Sequence, residues 1–248
     1  MTSKDYRARA REILAGKWGM AILVTLIAAI LGATLVGSFG FNLDIDEETL
    51  TMLPEGIREI VVRYMLIVGS FAGVLGIVQF ILGGVVQLGY CKYLLKLHDG
   101  EEAELKDLFS QLSTRFADGF VLSLLSAIYI ALWTLLFIIP GIVATYKYAL
   151  APFILLENPD MKPNDAITES KERMSGYKGA LFCLDFSFIG WAFLSALTLG
   201  IGSLWLNPYQ NMARTAFYRS LCPKAIPEVA ESEILEAEVA AEPEIPQE

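Results

Sequence analysis

The sequence has little charge, and this scarcity argues against a water-soluble domain. Only 19% of its 248 residues are Asp, Glu, Lys or Arg, whereas 54% are hydrophobic and the mean hydropathy is +0.49. Soluble globular proteins carry about 25% charged residues, which cover their surface. The composition therefore predicts a chain that is solvated in part by the lipid bilayer.

Histidine and cysteine are also scarce, which argues against metal and disulfide chemistry. The chain has one histidine, His98, and its three cysteines, Cys91, Cys183 and Cys222, form no CxxC pair. This spacing builds neither a disulfide framework nor a zinc site. Walker A, GxSxG, HExxH and Rossmann patterns are absent as well. We therefore predict that the protein is not an enzyme and uses no cofactor or metal.

Acidic charge is concentrated at the C-terminus rather than on a binding surface. The formal net charge is -9, but eight glutamates lie in the last 21 residues, and the rest of the chain has 19 basic and 20 acidic residues. Without a basic patch, nucleic acid is not a predicted partner. Residues 223–248 are rich in Glu, Ala and Pro and lack aromatics, so we predict a disordered cytoplasmic tail. The tail either solvates the protein or tethers a basic partner.

Four long tracts contain no Asp, Glu, Lys, Arg or His, and each exceeds the roughly 20 residues that cross a bilayer as a helix. They are Trp18 to Leu43, Tyr64 to Cys91, Gly119 to Tyr146 and Phe186 to Ala213. Pro140-Gly141 divides the third tract. Gly200-Ile201-Gly202 and Pro208 interrupt the fourth, which is either one long helix or a hairpin. The tracts alone are compatible with four spans or six.

The distribution of Lys and Arg favours six spans, because cytoplasmic loops collect these residues. The six predicted spans are residues 18–41, 64–90, 119–139, 141–156, 179–199 and 203–221. They leave fifteen basic residues inside and only Arg58 and Arg63 outside, whereas four spans would export a loop with four basic residues. We therefore predict an all-α polytopic transmembrane helical bundle over 18–222, with three hairpins and both termini cytoplasmic.

The basic leader, residues 1–17, precedes an apolar run that is too long for a signal peptide, so the first span is predicted to stay uncleaved. Apolar side chains recur at helical spacing at Tyr6, Ala10, Ile13, Leu14 and Trp18. The leader is either an amphipathic helix in the headgroup region or an ordinary topogenic segment.

Two connecting segments are predicted to form amphipathic helices. The first has an apolar stripe opposite a polar face that includes Asp107; the stripe is Leu105, Leu108, Phe109, Leu112 and Phe116. In the second, Asn164 is predicted to cap a helix that ends at Gly176. Each segment either docks a partner protein or serves as a solvated connection.

Ionisable side chains inside the spans form the candidate intramembrane polar cluster, because such groups are costly in hydrocarbon. Asp185 lies 15 residues before Gly200 and Arg214 lies 14 after it. At a rise of 1.5 Å per residue both sit about 21 to 23 Å from that turn, so they can pair across the last hairpin. The pair is either structural or, with Asn207, part of a transport relay. Lys147 is predicted to snorkel outward.

Small residues in the second span predict close helix packing. Gly69 and Gly73 form a GxxxG pattern, followed by Gly76, Gly83, Gly84 and Gly89 on the same segment. Such glycines let two helix backbones approach. The contact lies either within one bundle or between two copies of the chain, so a homo-oligomer is one alternative.

Several short motifs together resemble a bacterial integral membrane family, domain of unknown function 975. They are Ile139-Pro140-Gly141-Ile142, Tyr146 and Tyr148, Glu157-Asn158-Pro159, Ser170, Met174 with Gly176 and Lys178, Ser187 to Trp191, Leu199 to Gly202, Pro208-Tyr209, Phe217-Tyr218 and, near the start, Gly16-Lys17-Trp18. The resemblance implies a plasma membrane protein of a Gram-positive type of bacterium. It carries over no catalytic residue.

Taken together, these features predict a non-enzymatic, multi-pass plasma membrane protein. We expect it to act in envelope organisation, or as an accessory or regulatory subunit for a membrane or cytoplasmic protein partner. The alternative is a small transporter or channel in which Asp185, Arg214 and Asn207 line a cavity.

Overall fold

The computed structural model describes residues 2–33, 54–198 and 200–223, and within these ranges it contains helices and no strand. The helices are α1 (Ser3–Leu14), α2 (Trp18–Ile30), α3 (Glu55–His98), α4 (Leu105–Thr114), α5 (Phe116–Leu136), α6 (Ile138–Lys147), α7 (Ala151–Glu157), α8 (Pro163–Arg173), α9 (Lys178–Phe186), α10 (Ile189–Leu197) and α11 (Ser203–Leu221). The all-α prediction is confirmed for this part of the chain. The predicted tail from residue 224 onward lies outside it.

Four helical segments are long and apolar enough to cross a membrane. They are Val78–His98, Phe116–Leu136, Ile138–Glu157 and Lys178–Leu197. A fifth is added if α1 and α2, which are bent by 105° relative to each other, count as one. α11 occupies the predicted sixth span but is more polar, with Asn207, Asn211 and Arg214 in its middle. Among the described residues, four to five segments therefore meet the requirement for a span.

The helix that contains the predicted second span, 64–90, extends beyond it at both ends. α3 begins at Glu55 and includes Arg58 and Arg63, which had been assigned to an exported loop. No proline interrupts the helix after Pro54, and Glu59 and Arg63 are four residues apart, a spacing at which opposite charges stabilise a helix. At 1.5 Å per residue the 44 residues of α3 extend about 66 Å, more than the roughly 30 Å of hydrocarbon. Of the predicted first span, residues 34–41 lie outside the described residues.

The break between the third and fourth predicted spans falls at Phe137, three residues before Pro140, the predicted position. Phe137 is extended, and Pro140 lies in the first turn of α6, where its missing N–H group costs nothing. Gly141 packs against α5 so closely that a Cβ atom there would lie 2.2 Å from the Thr134 hydroxyl oxygen. Pro140 and Gly141 together allow the tight turn between α5 and α6.

The predicted fourth span, 141–156, consists of two helices, α6 and α7, and α8 holds the break between them. The Ser170 hydroxyl of α8 donates to the Lys147 carbonyl (2.8 Å) and accepts from the Leu150 amide (3.2 Å). Ser170 is fully buried. A broken helix in apolar surroundings needs such partners for its freed backbone groups.

The start of α8 also differs from the prediction. The helix begins at Pro163, with Lys162 in the N-cap position. Asn164 therefore lies inside the helix, where its side-chain oxygen accepts a hydrogen bond from the Tyr129 hydroxyl of α5 (3.2 Å). Proline favours the first helical position, and this preference moves the start of α8 before Asn164.

The last apolar tract is a hairpin rather than one long helix. α10 ends at Leu197 and α11 begins at Ser203. Gly200 has a φ of +85°, a conformation that favours glycine. A Cβ atom at Gly202 would lie 2.9 Å from the Ser195 Cα atom, so the glycine permits the tight turn.

The buried core is made mainly by α1, α2, α3, α7 and α11. The leader helix α1 packs its Tyr6, Ala10 and Leu14 face inward, and Tyr6 makes an edge contact with Phe217 of α11 (5.4 Å between ring centroids). The predicted apolar face of the leader thus lies against protein.

A buried polar contact joins three of these helices in the core. The Tyr90 hydroxyl of α3 lies 2.9 Å from the Thr25 hydroxyl of α2 and accepts from the Asn211 side chain of α11 (3.1 Å). Each of these three polar side chains is buried, so their mutual hydrogen bonds offset the loss of water.

Away from this core, the helices expose large apolar side chains over a wide area. Leu135 is 87% exposed, Ile139 75% and Leu197 80%. Contiguous apolar surfaces of this kind are unfavourable in water and mark contact with lipid or protein. The surface is compatible with a membrane location.

Two glycines of α3 differ in how closely another part of the chain approaches them. A Cβ atom at Gly89 would lie 1.8 Å from the Leu108 carbonyl oxygen of α4, whereas one at Gly76 would meet no atom within 4 Å among the residues that the structure describes. We expect Gly89→Ala to destabilise the protein by about 1 to 3 kcal/mol, because a backbone atom must move. Gly76→Ala on the same helix is the control and should not lower stability, since Ala favours helix. Thermal unfolding in detergent measures both, and equal midpoints would contradict the packing.

The surroundings of Gly69 and Gly73, also on α3, lie outside the described residues.

Candidate functional site

Asp185 of α9 and Arg214 of α11 form a two-pronged ion pair. Arg214 Nε lies 2.9 Å from Asp185 Oδ1, and Nη2 lies 2.6 Å from Oδ2. The contact predicted from the helix rise is therefore present. The Tyr146 hydroxyl of α6 interacts with the same carboxylate. Bidentate arginine–carboxylate pairs are the stronger kind of charge-assisted hydrogen bond.

The other two residues of the candidate polar cluster lie elsewhere. Asn207 is half-buried seven residues before Arg214 on α11, about 10 Å along the helix. Lys147 Nζ lies 5.1 Å from the ring centroid of Trp133, on the side of the α5–α6 turn. This contact is a cation–π interaction. The Lys147 side chain therefore extends towards the α5–α6 turn, which is the direction predicted for a snorkelling lysine.

The ion pair can be tested by a double-mutant cycle. Asp185 and Arg214 are 19% and 22% exposed, and removing one partner leaves the other charge in apolar surroundings. We expect Asp185→Asn and Arg214→Gln each to cost roughly 3 kcal/mol, and the double variant to cost less than their sum. The control is Arg9→Gln, which removes the exposed Arg9–Glu12 pair and should cost less than about 1 kcal/mol. Additive losses at Asp185 and Arg214 in thermal unfolding would contradict a structural pair.

A polar network that the sequence patterns do not indicate joins the ends of α3, α7 and α11. Arg219 Nη2 and Nε lie 2.6 Å and 3.0 Å from the two carboxylate oxygens of Asp99. Its Nη1 lies 2.6 Å from Glu157 Oε1, and the Tyr218 hydroxyl donates to the other oxygen of Glu157. Arg219 is 8% exposed at its side chain, so one guanidinium links three helix ends. In the sequence, the positive charge of Arg219 indicates only which end of the span faces the cytoplasm, and it does not identify Asp99 and Glu157 as partners.

Asp107 attaches α4 to α3 and is buried, although it was predicted to lie on a polar outer face. Its carboxylate accepts from Lys96 Nζ (2.9 Å) and from the Glu104 amide (3.0 Å), and Lys92 Nζ lies 3.8 Å away. Two lysines on one face of α3 turn the carboxylate inward. Burial raises the pKa of Asp107, but the Lys96 and Glu104 hydrogen bonds and the two positive charges together hold the pKa below its usual value.

Asp107→Asn gives a prediction with a defined pH dependence. We expect a loss of about 1 to 3 kcal/mol at neutral pH, because a charged acceptor is removed from its donors. A lowered folded-state pKa stabilises the protein above the unfolded-state pKa of about 3.9. The difference between wild type and variant should therefore be constant at neutral pH and shrink as the pH falls through the lower folded-state pKa.

Unfolding curves of both proteins over that pH range test this account of Asp107. Glu102→Gln, at an exposed position just before α4, is the control and should change stability little. A difference between wild type and Asp107→Asn that persists unchanged into strong acid would contradict the role of the charge.

These charged side chains border an open groove at the same end of the bundle, called here the inner groove. It has a volume of about 370 Å³ and its polar lining is Lys92, Lys96, Asp99, Glu101, Gln111, Arg115, Glu157 and Arg219, with Pro159 at its edge. Arg115 donates to the Leu155 carbonyl (2.5 Å) and to Asp118 (3.0 Å). The groove therefore presents cations and anions that are already engaged with one another.

Metal ligation is not indicated in the part of the chain that the structure describes, where no three His, Cys, Asp or Glu side chains are grouped to hold an ion. The cysteines are free, with Cys91 and Cys222 buried and Cys183 exposed.

The helices and their apolar surfaces define an all-helical protein in which several segments could cross a membrane. The chain belongs to the family described as protein of unknown function (DUF975), which matches residues 1–146 and 134–225. This match confirms the resemblance drawn from the sequence motifs. A search of the curated proteins and a search of the solved structures each found no match.

Proposed function

We propose that this chain is a six-span protein of the bacterial plasma membrane with both termini in the cytoplasm. The turn between α10 and α11 supports an even number of crossings, because it makes the last tract a hairpin. The second and sixth predicted spans should then run in the same direction. The contact of Tyr90 with Asn211, followed along both helices by that of Asp99 with Arg219, supports this arrangement.

Within this topology, we propose a non-enzymatic role as an accessory or regulatory subunit in the envelope. The observation that carries the proposal is the inner groove, which lies at the helix ends assigned to the cytoplasm. Its mixed charges match the polar, hydrogen-bonding character of a transient protein interface. The single positive charge of Arg219 is shared between the carboxylates of Asp99 and Glu157, and this fixed ion-pair arrangement suits a structural surface better than an acid–base site.

Site-specific photo-crosslinking in native membranes tests the partner role. A photoreactive amino acid is placed at Glu101 or Pro159, which border the inner groove, and at Glu172, an exposed position on α8 away from it. We expect one defined adduct from the two groove positions and none from Glu172. Equal adduct patterns at all three positions, or no adduct from the groove, would contradict a partner site there.

The alternative function, a small transporter or channel, is favoured by the intramembrane ion pair and by Pro208 within α11. A transporter would need the Asp185 carboxylate for ion movement rather than for stability. If Asp185→Asn unfolds at the wild-type temperature but abolishes ion flux in proteoliposomes, Asp185 serves a relay rather than the fold. Loss of stability without any flux in the wild-type protein supports the accessory role.

A further inference from the structure

An apolar groove lined by aromatic side chains lies along the first half of α11, whereas the inner groove lies at the end of that helix. This aromatic groove has a volume of about 380 Å³ and is formed by Trp18, Trp191, Leu194, Trp205 and Tyr209, with Arg11 at its edge. These residues come from α1, α2, α10 and α11, so the groove exists only in the folded chain. Its size falls in the range of small-molecule sites, about 300 to 1,000 Å³.

Aromatic side chains of the groove are fixed by packing against one another, but two of its tryptophans remain half-exposed. Trp18 packs edge-on against Tyr209, with ring centroids 6.4 Å apart, and Phe188 fixes Tyr209 from behind at 5.0 Å. Trp191 and Trp205 are 55% and 52% exposed. Tryptophan is enriched at the level of lipid headgroups, where an apolar ring and a polar N–H group are both solvated. An apolar chain is therefore the occupant that these faces fit.

Arg11 gives the groove a charge preference. Among the arginines of α1, Arg7 donates to the Ser187 carbonyl (3.2 Å) and Arg9 pairs with Glu12 (3.1 Å). Arg11 is exposed and forms no hydrogen bond or ion pair with any residue within 2–33, 54–198 and 200–223. An unpaired guanidinium beside an apolar groove complements a phosphate attached to a hydrocarbon chain.

We propose that the aromatic groove binds an anionic phospholipid, with one acyl chain against Trp191 and Trp205 and the phosphate on Arg11. The groove runs from Arg11 towards the α10–α11 turn. In the proposed topology Arg11 is cytoplasmic and that turn is external, so the chain of a cytoplasmic-leaflet lipid points in the required direction. The inference rests on the membrane embedding in the proposed function, but not on a protein partner.

Tryptophan fluorescence quenching by brominated lipids tests the site. Three of the four tryptophans line the aromatic groove, so Trp133→Phe leaves only groove reporters. The protein is placed in phosphatidylcholine vesicles in which a small fraction of the lipid is dibrominated phosphatidylglycerol or dibrominated phosphatidylcholine. We expect about a five-fold preference for phosphatidylglycerol, the factor that corresponds to roughly 1 kcal/mol per basic residue near an anionic surface.

Variants of the leader helix separate a lipid site from general contact with the bilayer. Arg11→Gln should remove the preference, Arg11→Lys should retain most of it, and Arg9→Gln on the same helix should leave it unchanged. Unfolding temperatures confirm that each variant is folded. Equal quenching by the two lipids in the parent protein, or an unchanged preference in Arg11→Gln, would overturn the site. Absence of quenching by either lipid would instead refute the membrane embedding itself.

Discussion

Close backbone contact at the glycines of α3 is the interaction on which the rest of the packing depends. A Cβ atom at Gly83 would lie 2.8 Å from the Gly32 carbonyl oxygen, and one at Gly84 would lie 2.4 Å from the Gly119 carbonyl oxygen. Gly89 lies in similarly close contact with Leu108 of α4. Helix α3 therefore contacts three other parts of the chain through its glycines, namely the residues after α2, the start of α5 and helix α4. In an apolar solvent the hydrophobic effect does not drive helices together, so dispersion and interhelical hydrogen bonds at such short distances must supply the attraction.

Several polar side chains of this fold join different helices, some where a helix breaks or ends and others within a helix. Ser170 satisfies the break between α6 and α7, Arg219 joins three helix ends, and Arg214 engages Asp185. This arrangement follows from the cost of an unsatisfied polar group away from water, which exceeds the modest net gain from making the bond. The same contacts position the inner groove, because Arg219, Asp99 and Glu157 form both its lining and the junction of the helix ends.

Features that depend on local periodicity or on helix rise could be predicted from the sequence, and those that depend on tertiary partners could not. The hairpin around Gly200 and the Asp185–Arg214 contact follow from a turn signal and 1.5 Å per residue. The inward turn of Asp107 requires knowing that Lys92 and Lys96 face it from another helix. Likewise, apolar tracts do not reveal that Ser170 will support a break at Tyr148, because that residue is distant in sequence.

The proposed topology has an even number of crossings of the plasma membrane and an inner groove that faces the cytoplasm. Labelling of intact cells with a membrane-impermeant maleimide tests it most directly, after Cys183, the exposed native cysteine, is replaced by serine. We expect a thiol introduced at Leu50 to be labelled, whereas thiols introduced at Glu172 and Ala240 should react only after the cells are opened. Labelling of Glu172 or Ala240 from outside, with Leu50 protected, would contradict it.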